Sequence, residues 1–420
     1  MSDRRTFLKT AAAVSTVAGP VSWGLITAPP DQGGKPMSGG KPLLVVERGF
    51  ISRTQAGTRR AVITFPTVTA LSNGRLLSTI RPASTKEGLD ETTELYESRD
   101  GGRKWEQIAF DAPQLVNGKR GGSRSCQLTE IEPGHVLAAA MWVDRETYPG
   151  KPLFNPETEG CLPMEILLAD SFDNGRTWSE WRRVAMPKDI GPPSLTNAVM
   201  RLKGGNLAMT IESNKTYEDR SKWFQKVVLF LSKDKGKTWN PPIVVGQDPT
   251  GRIFNWDLRA GVAPDGRIVA FTWTYDSQTS TYLNMRRRLS GDGGYRWSEA
   301  EDLGFKDQAG HPAILPDGRI VLAYVDRFGT QSIRARWAKD VAGPFEKQTE
   351  VVVYAHQATA AKSAQAGATT EALVDMSRWS YGLPHAEGLP DGDVLVVYYA
   401  GTTEAMDACW ARLRLPGKTE

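Results

Sequence analysis

Two histidines and an arginine stand at equivalent places in three apolar segments of the sequence. His311 and His385 each precede by six residues the aspartate of an Asp-Gly turn, and Arg259 holds the same position before a third such turn. Histidine is suited to proton transfer near neutral pH, and arginine presents a planar fork that binds carboxylates. Because the chain has only 4 His, this shared register favours one site for acid–base chemistry and anion recognition.

Further side chains capable of chemistry lie at the ends of neighbouring apolar segments. They are arginines suited to a carboxylate ligand, a tryptophan able to stack on a sugar ring, and two acids: Arg81, Arg124, Arg145, Arg327, Trp256, Asp257 and Glu212. Their acidic neighbours Asp144, Asp257 and Asp326 also suit structural ion pairs with these arginines, and that alternative stays open for each of them.

The apolar segments are six copies of one pattern, in which two apolar runs flank a tight turn. The turn glycines are Gly74, Gly134, Gly205, Gly266, Gly318 and Gly392. Two such runs around Asn-Gly or Asp-Gly are a strong β-hairpin signal, and repetition is typical of radial β folds. We therefore predict an all-β, six-bladed β-propeller with four-stranded antiparallel blades. The strand-like segment 42–50 is expected to complete the sixth blade and close the ring.

A second motif, Ser-x-Asp-x-Gly-x-x-Trp, follows four of the six hairpins, at 98–105, 171–178, 232–239 and 290–297, with a degenerate copy at 338–345. Aspartate accepts backbone N–H bonds in tight turns, glycine takes the positive φ, and tryptophan packs beneath the turn. The motif aspartates are therefore expected to be structural and not catalytic: Asp100, Asp173, Asp234 and Asp292.

Together, the motif and the sixfold repeat resemble the sialidase superfamily of Asp-box (BNR-repeat) propellers, over nearly all of the chain after its N-terminal segment. The resemblance implies an exo-glycoside hydrolase that holds a terminal anionic sugar with an arginine triad. Matched by position, Asp90 corresponds to the acid/base and Tyr381 to the nucleophile, whereas Thr64 stands where the family has its first triad arginine. The matching clamp residues are Arg259, Arg327 and either Arg81 or Arg124.

Three functions follow, and all have a glycan as the partner. The first is the sialidase-like hydrolase. The second is a polysaccharide lyase for uronic-acid glycans, in which His311 or His385 abstracts a proton and Tyr381 donates one to the leaving oxygen. The third is a non-catalytic glycan-binding propeller with tryptophans as stacking platforms, namely Trp142, Trp256 and Trp379. No metal or cofactor is expected in any of them.

The N-terminal segment resembles a twin-arginine export signal, with Arg4 and Arg5 before an apolar run. We expect a signal peptide at 1–28, a linker at 29–41 and the propeller at 42–420, in a bacterial protein exported to the periplasm or beyond. The net charge of +4, with basic and acidic residues interleaved, argues against a nucleic-acid partner, and the short apolar run argues against a membrane anchor after signal removal.

Two smaller features leave alternatives open. The three cysteines lack metal-site spacing, and Cys126 with Cys161 is either a disulfide or a pair of buried free thiols. The Ala/Thr/Gln-rich insertion at 355–372 is expected to form a rim loop or a short helix that shapes access to the site.

Overall fold

The computed structural model describes residues 40–356 and 368–417. The predicted signal segment and most of the predicted linker lie outside the described residues. Of these described residues, 46% lie in strands and 4% in helices, so this part of the chain is almost entirely β. Within the described part of the chain, no helix is long and apolar enough to cross a membrane.

The strands follow one another in sequence as short antiparallel series. The first series and its N-terminal partner are β1 (Leu44–Ser52), β2 (Val62–Thr64), β3 (Thr69–Ala70), β4 (Leu76–Ala83), β5 (Glu94–Ser98) and β6 (Glu106–Ile108). The second series is β7 (Leu115–Val116), β8 (Lys119–Glu132), β9 (His135–Asp144), β10 (Met164–Ser171) and β11 (Arg182–Arg183). The third is β12 (Met200–Arg201), β13 (Leu207–Glu212), β14 (Lys226–Ser232) and β15 (Ile243–Gln247).

The second half of the chain repeats this arrangement and, among its described residues, adds one α-helix. The fourth series is β16 (Ile253–Val262), β17 (Ile268–Asp276), β18 (Thr281–Tyr282), β19 (Arg286–Ser290) and β20 (Glu301–Asp302). The fifth is β21 (Gln308–Ala309), β22 (Ala313–Ile314), β23 (Ile320–Asp326), β24 (Ser332–Ala338) and β25 (Val351–Ala355). The last elements are α1 (Thr369–Arg378), β26 (Tyr381–Gly388), β27 (Val394–Gly401) and β28 (Met406–Arg414), and 3₁₀ turns lie at Lys188–Ile190 and Lys347–Thr349.

Strand pairing gives five sheets whose strands are almost all antiparallel. Four sheets correspond to the second, third, fourth and fifth series. The largest sheet has the order β26-β27-β28-β2-β4-β5-β6, with β1 paired to β28 and β3 to β4. Its two halves are joined by one parallel pair, Val62 with Met406. The sheets are consistent with a propeller-like fold.

The predicted hairpins are present because each turn glycine adopts a conformation that other residues avoid. All six have φ between 80° and 97°, a region that side chains with a Cβ rarely occupy. The flanking strands then pair, as β8 does with β9, from Gly121 opposite Asp144 to Glu132 opposite His135. The local sequence signal therefore sets the repeating unit of the fold.

The Ser-x-Asp motifs form four similar turns, each between the last two strands of its series. In the first, the Asp100 carboxylate accepts the backbone N–H groups of Arg103 and Lys104 at 3.0 and 2.9 Å. The Ser98 hydroxyl accepts the N–H of Gly102 at 2.9 Å, and the Trp105 indole donates to the carbonyl of Gly102. The other motif carboxylates accept the same kind of bond within their own turns: Asp173, Asp234 and Asp292.

The N-terminal strand β1 pairs with the C-terminal strand β28, as the sequence predicts for segment 42–50. The register runs from Leu44 opposite Arg414 to Ser52 opposite Ala408. The hydrophobic core lies between consecutive sheets; one cluster, for example, joins Val321 of β23 to Val396 of β27. Cys126, Cys161 and Cys409 are buried free thiols, which rules out the disulfide alternative.

Candidate functional site

A cavity of about 320 Å³ lies where second strands end and inner strands begin. Lys86 follows β4, Glu212 ends β13 and Arg327 follows β23, while Trp256 and Asp257 belong to the inner strand β16. These side chains come from different sheets and face one space. The cavity therefore has the layout of a binding site shared by several repeats.

Two carboxylates in this cavity have contrasting surroundings. Glu212 is buried and accepts hydrogen bonds from the Thr196 hydroxyl (2.8 Å) and the Leu258 N–H (2.9 Å). Asp257 lies in a β-bulge between Trp256 and Arg259, with a φ of 52°. Its carboxylate accepts hydrogen bonds from the Arg259 guanidinium at 2.6 Å and from the Gln308 amide. The bulge turns Asp257 out of the ladder and toward the cavity.

The surroundings of Glu212 favour its role as a proton donor. Burial, together with the nearby negative charge of Asp257, raises the pKa of Glu212 above its ordinary value of 4.5. Arg259 and Gln308 both donate hydrogen bonds to Asp257. A buried acid of raised pKa beside a second carboxylate can serve as the proton donor in general acid–base catalysis.

Cations on the cavity wall have partners within the protein. The Lys86 ammonium donates to the carbonyls of Met376 and Trp379, both at 2.6 Å, and to the Tyr399 hydroxyl at 3.1 Å. Burial lowers the pKa of Lys86 well below 10.5. Arg327 is also buried and contributes to the same wall.

Arg327 is held by contacts of three kinds. It donates a hydrogen bond to Gln308, lies 3.6 Å from the Asp307 carboxylate and stacks on the Trp379 ring at 3.8 Å. Burial raises the pKa of Asp307 to about 6, although Arg327 opposes that shift. The guanidinium is therefore fixed in place before any ligand arrives.

The remaining predicted clamp arginines bind a carboxylate of the protein itself. Arg81, Arg124 and Arg145 all reach Glu91, in the loop between β4 and β5, with shortest N–O distances of 2.5, 3.3 and 2.5 Å. Arg124 also pairs with Glu87 at 2.9 Å. Although burial opposes it, the three guanidiniums lower the pKa of Glu91 to about 2. The ion-pair alternative thus describes these three arginines, and of them only Arg124 lines the cavity.

Aromatic side chains form one wall of the cavity. Trp256, Trp273 and Trp379 line it and belong to one buried cluster with Leu373 of helix α1. Helix α1 (Thr369–Arg378) thus begins within the predicted insertion, 355–372, and lies beside the cavity. Residues 357–367 of the insertion lie outside the described part of the chain. Trp142 lies in the buried strand β9 and is not part of the wall.

The predicted acid/base and nucleophile lie away from the cavity. Asp90 accepts hydrogen bonds from the Ser84 hydroxyl (2.9 Å) and lies 3.7 Å from Arg59, in a separate surface pocket. Tyr381 stacks on His356 with ring centroids 4.7 Å apart, and burial raises its pKa to about 12. The tyrosine that lines the cavity is Tyr399 of β27.

The two histidines do meet, but in another cavity. His311 and His385 stack with ring centroids 4.3 Å apart and line a second space of about 290 Å³. His311 is 2.7 Å from the Asn197 side-chain oxygen. Burial, with the positive charge of Arg259, lowers the pKa of His311 to about 3 and that of His385 well below 6.5. Both rings are therefore uncharged at neutral pH.

Sequence reasoning assigned no role to three residues of the cavity. The sequence singled out Glu212 only by its position after a second strand. Lys86 and Tyr399 gave no signal, because their contacts join segments more than 300 residues apart in the chain. Among the described residues, no group of three or more His, Cys, Asp or Glu side chains could hold a metal ion.

Comparison with known proteins shows the fold. The sequence matches no protein-family model and no curated protein sequence. A protein of unknown function from Dyadobacter fermentans has a similar structure (TM-score 0.68, 21% identity, 89% of this chain and 99% of that one). The intramolecular trans-sialidase of Ruminococcus gnavus is similar too (TM-score 0.59, 14% identity, 87% and 96%). So is an α-L-arabinanase of Penicillium chrysogenum (TM-score 0.59, 16% identity, 89% and 98%). The chain thus has a propeller-type fold that glycoside hydrolases use.

Proposed function

We propose that this protein is a glycoside hydrolase that removes a terminal sugar from a glycan, with Glu212 as proton donor and Asp257 as the second carboxylate. The observation that carries the proposal is this pair, a buried Glu212 and a half-buried Asp257, in a cavity whose other wall is aromatic. Sugar rings stack on tryptophan faces, and two carboxyl groups that flank the scissile bond are the usual means of glycoside cleavage.

The proposed reaction uses groups that are already in place. Glu212 transfers its proton to the glycosidic oxygen as the bond from the sugar carbon to that oxygen breaks. Asp257 faces the positive charge that develops on the sugar ring. Water then supplies the hydroxyl group to the sugar carbon, and its remaining proton restores the acid. Arg259 and Gln308 hold the Asp257 carboxylate in position through this cycle.

The repeats favour six blades. The nine-stranded sheet divides at the single parallel pair, Val62 with Met406, into two antiparallel groups. Each group has one turn glycine, and with the other four sheets this gives six groups for six turn glycines. We take 42–420 as this propeller, closed by β1.

The two other functions have less support. A lyase would need a histidine beside the substrate, but His311 and His385 line a different cavity from Glu212. A binding protein would not need a buried acid of raised pKa beside a second acid, which is costly for stability and typical of catalysis. The hydrolase accounts for the carboxylate pair and the aromatic wall together.

We also propose that the segment 1–28 directs export. The paired Arg4 and Arg5 in their Ser-x-Arg-Arg-x-Phe-Leu-Lys setting support it. Replacing both arginines by lysine should retain the protein in the cytoplasm of a bacterial host, as measured by cell fractionation, whereas unchanged export would contradict the proposal.

Activity is tested with a panel of 4-methylumbelliferyl glycosides, followed by fluorescence. Glu212→Gln and Asp257→Asn should each lower kcat about 10²- to 10⁴-fold on whichever glycoside the protein cleaves. Glu404→Gln is the matched control, because Glu404 also follows a second strand, β27, but is exposed. Near-normal turnover by both cavity variants would overturn the proposal.

A further inference from the structure

The Glu91 carboxylate has the coordination expected of a bound ligand. One oxygen accepts from Arg81 Nε at 2.7 Å and lies 3.3 Å from Arg124 Nη1. The other accepts from Arg145 Nε and Nη2 at 3.1 and 2.5 Å. The side chain has no exposed surface. Three guanidiniums converging on one carboxylate form an anion-binding pocket, and here the anion is covalently part of the chain.

This cluster contains more buried charges than a single structural ion pair. Arg81, Arg124 and Arg145 bring three positive charges, and Glu91 and Glu87 bring two negative ones. Burying charges is costly unless they are paired, so an empty pocket of three arginines would be unstable. Glu91 therefore supplies the charge that a carboxylate ligand would otherwise have to bring.

The arginine pocket borders the substrate cavity. Arg124 and Glu87 line the cavity. Phe65 also lines it, and its ring lies 5.8 Å from the Arg81 guanidinium and 5.5 Å from that of Arg124. Phe65 has a φ of 51°, an unfavourable conformation for an aromatic residue that the surrounding structure must stabilise. The Phe65 ring therefore lies beside two of the three guanidiniums, at the border between the pocket and the cavity.

We propose that Glu91 is a specificity-determining residue, an internal carboxylate that fills the arginine pocket so that the site accepts an uncharged terminal sugar and rejects a sugar acid. The inference rests on the proposed glycosidase function and reverses the anionic sugar expected from the sequence. Arg327 is a weaker clamp than the pocket, because Asp307 lies 3.6 Å from it and Gln308 accepts a hydrogen bond from its Nη2, which leaves its Nε and Nη1 without a hydrogen-bond partner among the described residues. Lys86 offers no clamp, because three oxygens surround its ammonium group.

The pocket itself is tested without any glycoside. In Glu91→Ala the three arginines lose their ligand, so sodium acetate should raise the Tm of the variant by several degrees more than sodium chloride of equal ionic strength. The wild type and Glu165→Ala, which loses a carboxylate paired with Arg183 alone, should respond equally to both salts. Equal responses in Glu91→Ala would overturn the proposal. If that variant does not fold, Glu91→Gln, which keeps the side-chain volume, is measured in the same way.

Specificity is tested on the wild type with paired fluorogenic substrates. The 4-methylumbelliferyl glycosides of uncharged sugars, including α-L-arabinofuranose, are compared with those of glucuronic acid and N-acetylneuraminic acid. We expect kcat/KM on the acidic sugars to be at least about 100-fold lower, because Glu91 already occupies the three-arginine pocket that would bind their carboxylate. Preferred cleavage of an acidic glycoside would overturn the role of Glu91 and leave the hydrolase proposal standing. Failure to cleave any glycoside, with the acetate response intact, would instead overturn the hydrolase proposal.

Discussion

Glu212 acquires its proposed role from position rather than from residue type. Its side chain is buried at the end of β13, where burial and the charge of Asp257 favour the protonated form. Hydrogen bonds from Thr196 and Leu258 act in the opposite direction, and burial outweighs them. Asp257 has Arg259 as an ion-pair partner, whereas Glu212 has none among the described residues. Two acids in one cavity are thereby given two different roles.

The raised pKa of Glu212 predicts a pH dependence of stability. Between the ordinary value of 4.5 and the folded-state value, the unfolded chain releases this proton and the folded chain keeps it. The free energy of unfolding therefore falls as pH rises through that range. Glu212→Gln removes this contribution, so its free energy of unfolding should fall less than that of the wild type between about pH 5 and about pH 8. Urea unfolding at several pH values measures the difference.

The control for this experiment is Glu299→Gln, which changes an exposed glutamate and should run parallel to the wild type. Glu387, whose pKa burial raises to about 8, contributes a similar slope to every variant, so only the difference between curves reports on Glu212. A Glu212→Gln curve parallel to the wild type would show that the carboxyl group is not held protonated.

Helix α1 is held over the cavity by a side chain from the far end of the sequence. Lys86 donates to two carbonyls at the end of the helix, those of Met376 and Trp379. A cation at a helix C-terminus is favoured by the helix dipole. The same helix carries Leu373, which packs into the aromatic wall. Lys86 therefore connects the loop after β4 to the wall on which a sugar would stack.

Replacing Lys86 by methionine should loosen this wall. The variant keeps an apolar chain of similar length but leaves the Met376 and Trp379 carbonyls without their donor, a loss of about 1–3 kcal/mol of unfolding free energy. We expect a KM several-fold higher on the cleaved glycoside with a smaller change in kcat, since the carboxylate pair is untouched. Lys233→Met, at an exposed position, is the control. An unchanged KM would mean that α1 takes no part in binding.

Features set by local contacts could be predicted from the sequence, whereas features that depend on the complete fold could not. Turn glycines and Ser-x-Asp motifs act through contacts a few residues apart, so the hairpins and the motif turns were predictable. The pairing of β1 with β28 joins distant segments, and it was predictable because the repeat pattern left segment 42–50 to complete the sixth blade. Tyr381 was assigned by strand order, but a register shift between Gly382 and His385 and a φ of 46° at Leu383 follow it. Tyr381 packs into the core between sheets. No local pattern encodes such a shift.

The location of the site at the ends of the strands could be predicted, but the ion-pair partners of its arginines could not. The rule that inner strands begin where second strands end located Asp257 and Arg327 at the cavity. The rule could not show that Arg81 and Arg145 face Glu91, because that contact depends on the path of a loop. Long-range pairing of charges is a property of the folded molecule.

Joining the two ends of the chain in one sheet makes the whole molecule sensitive to a single methyl group. Gly49 of β1 lies opposite Trp410 of β28, and a Cβ at Gly49 would lie 2.6 Å from Trp410 ring atoms. Trp410 cannot easily yield, because it is packed among Ile63 and Leu395 in the core between the first and last strand series. Gly49→Ala should therefore cost about 1–3 kcal/mol through overpacking. Gly291→Ala, where no atom lies within 4 Å of the added carbon, should leave stability nearly unchanged.

If β1 is an integral part of the propeller, the Gly49→Ala protein should melt at a lower temperature in one transition, seen together by tryptophan fluorescence and far-ultraviolet circular dichroism. A separate early transition, or an unchanged Tm, would mean that the remaining sheets are stable without this strand.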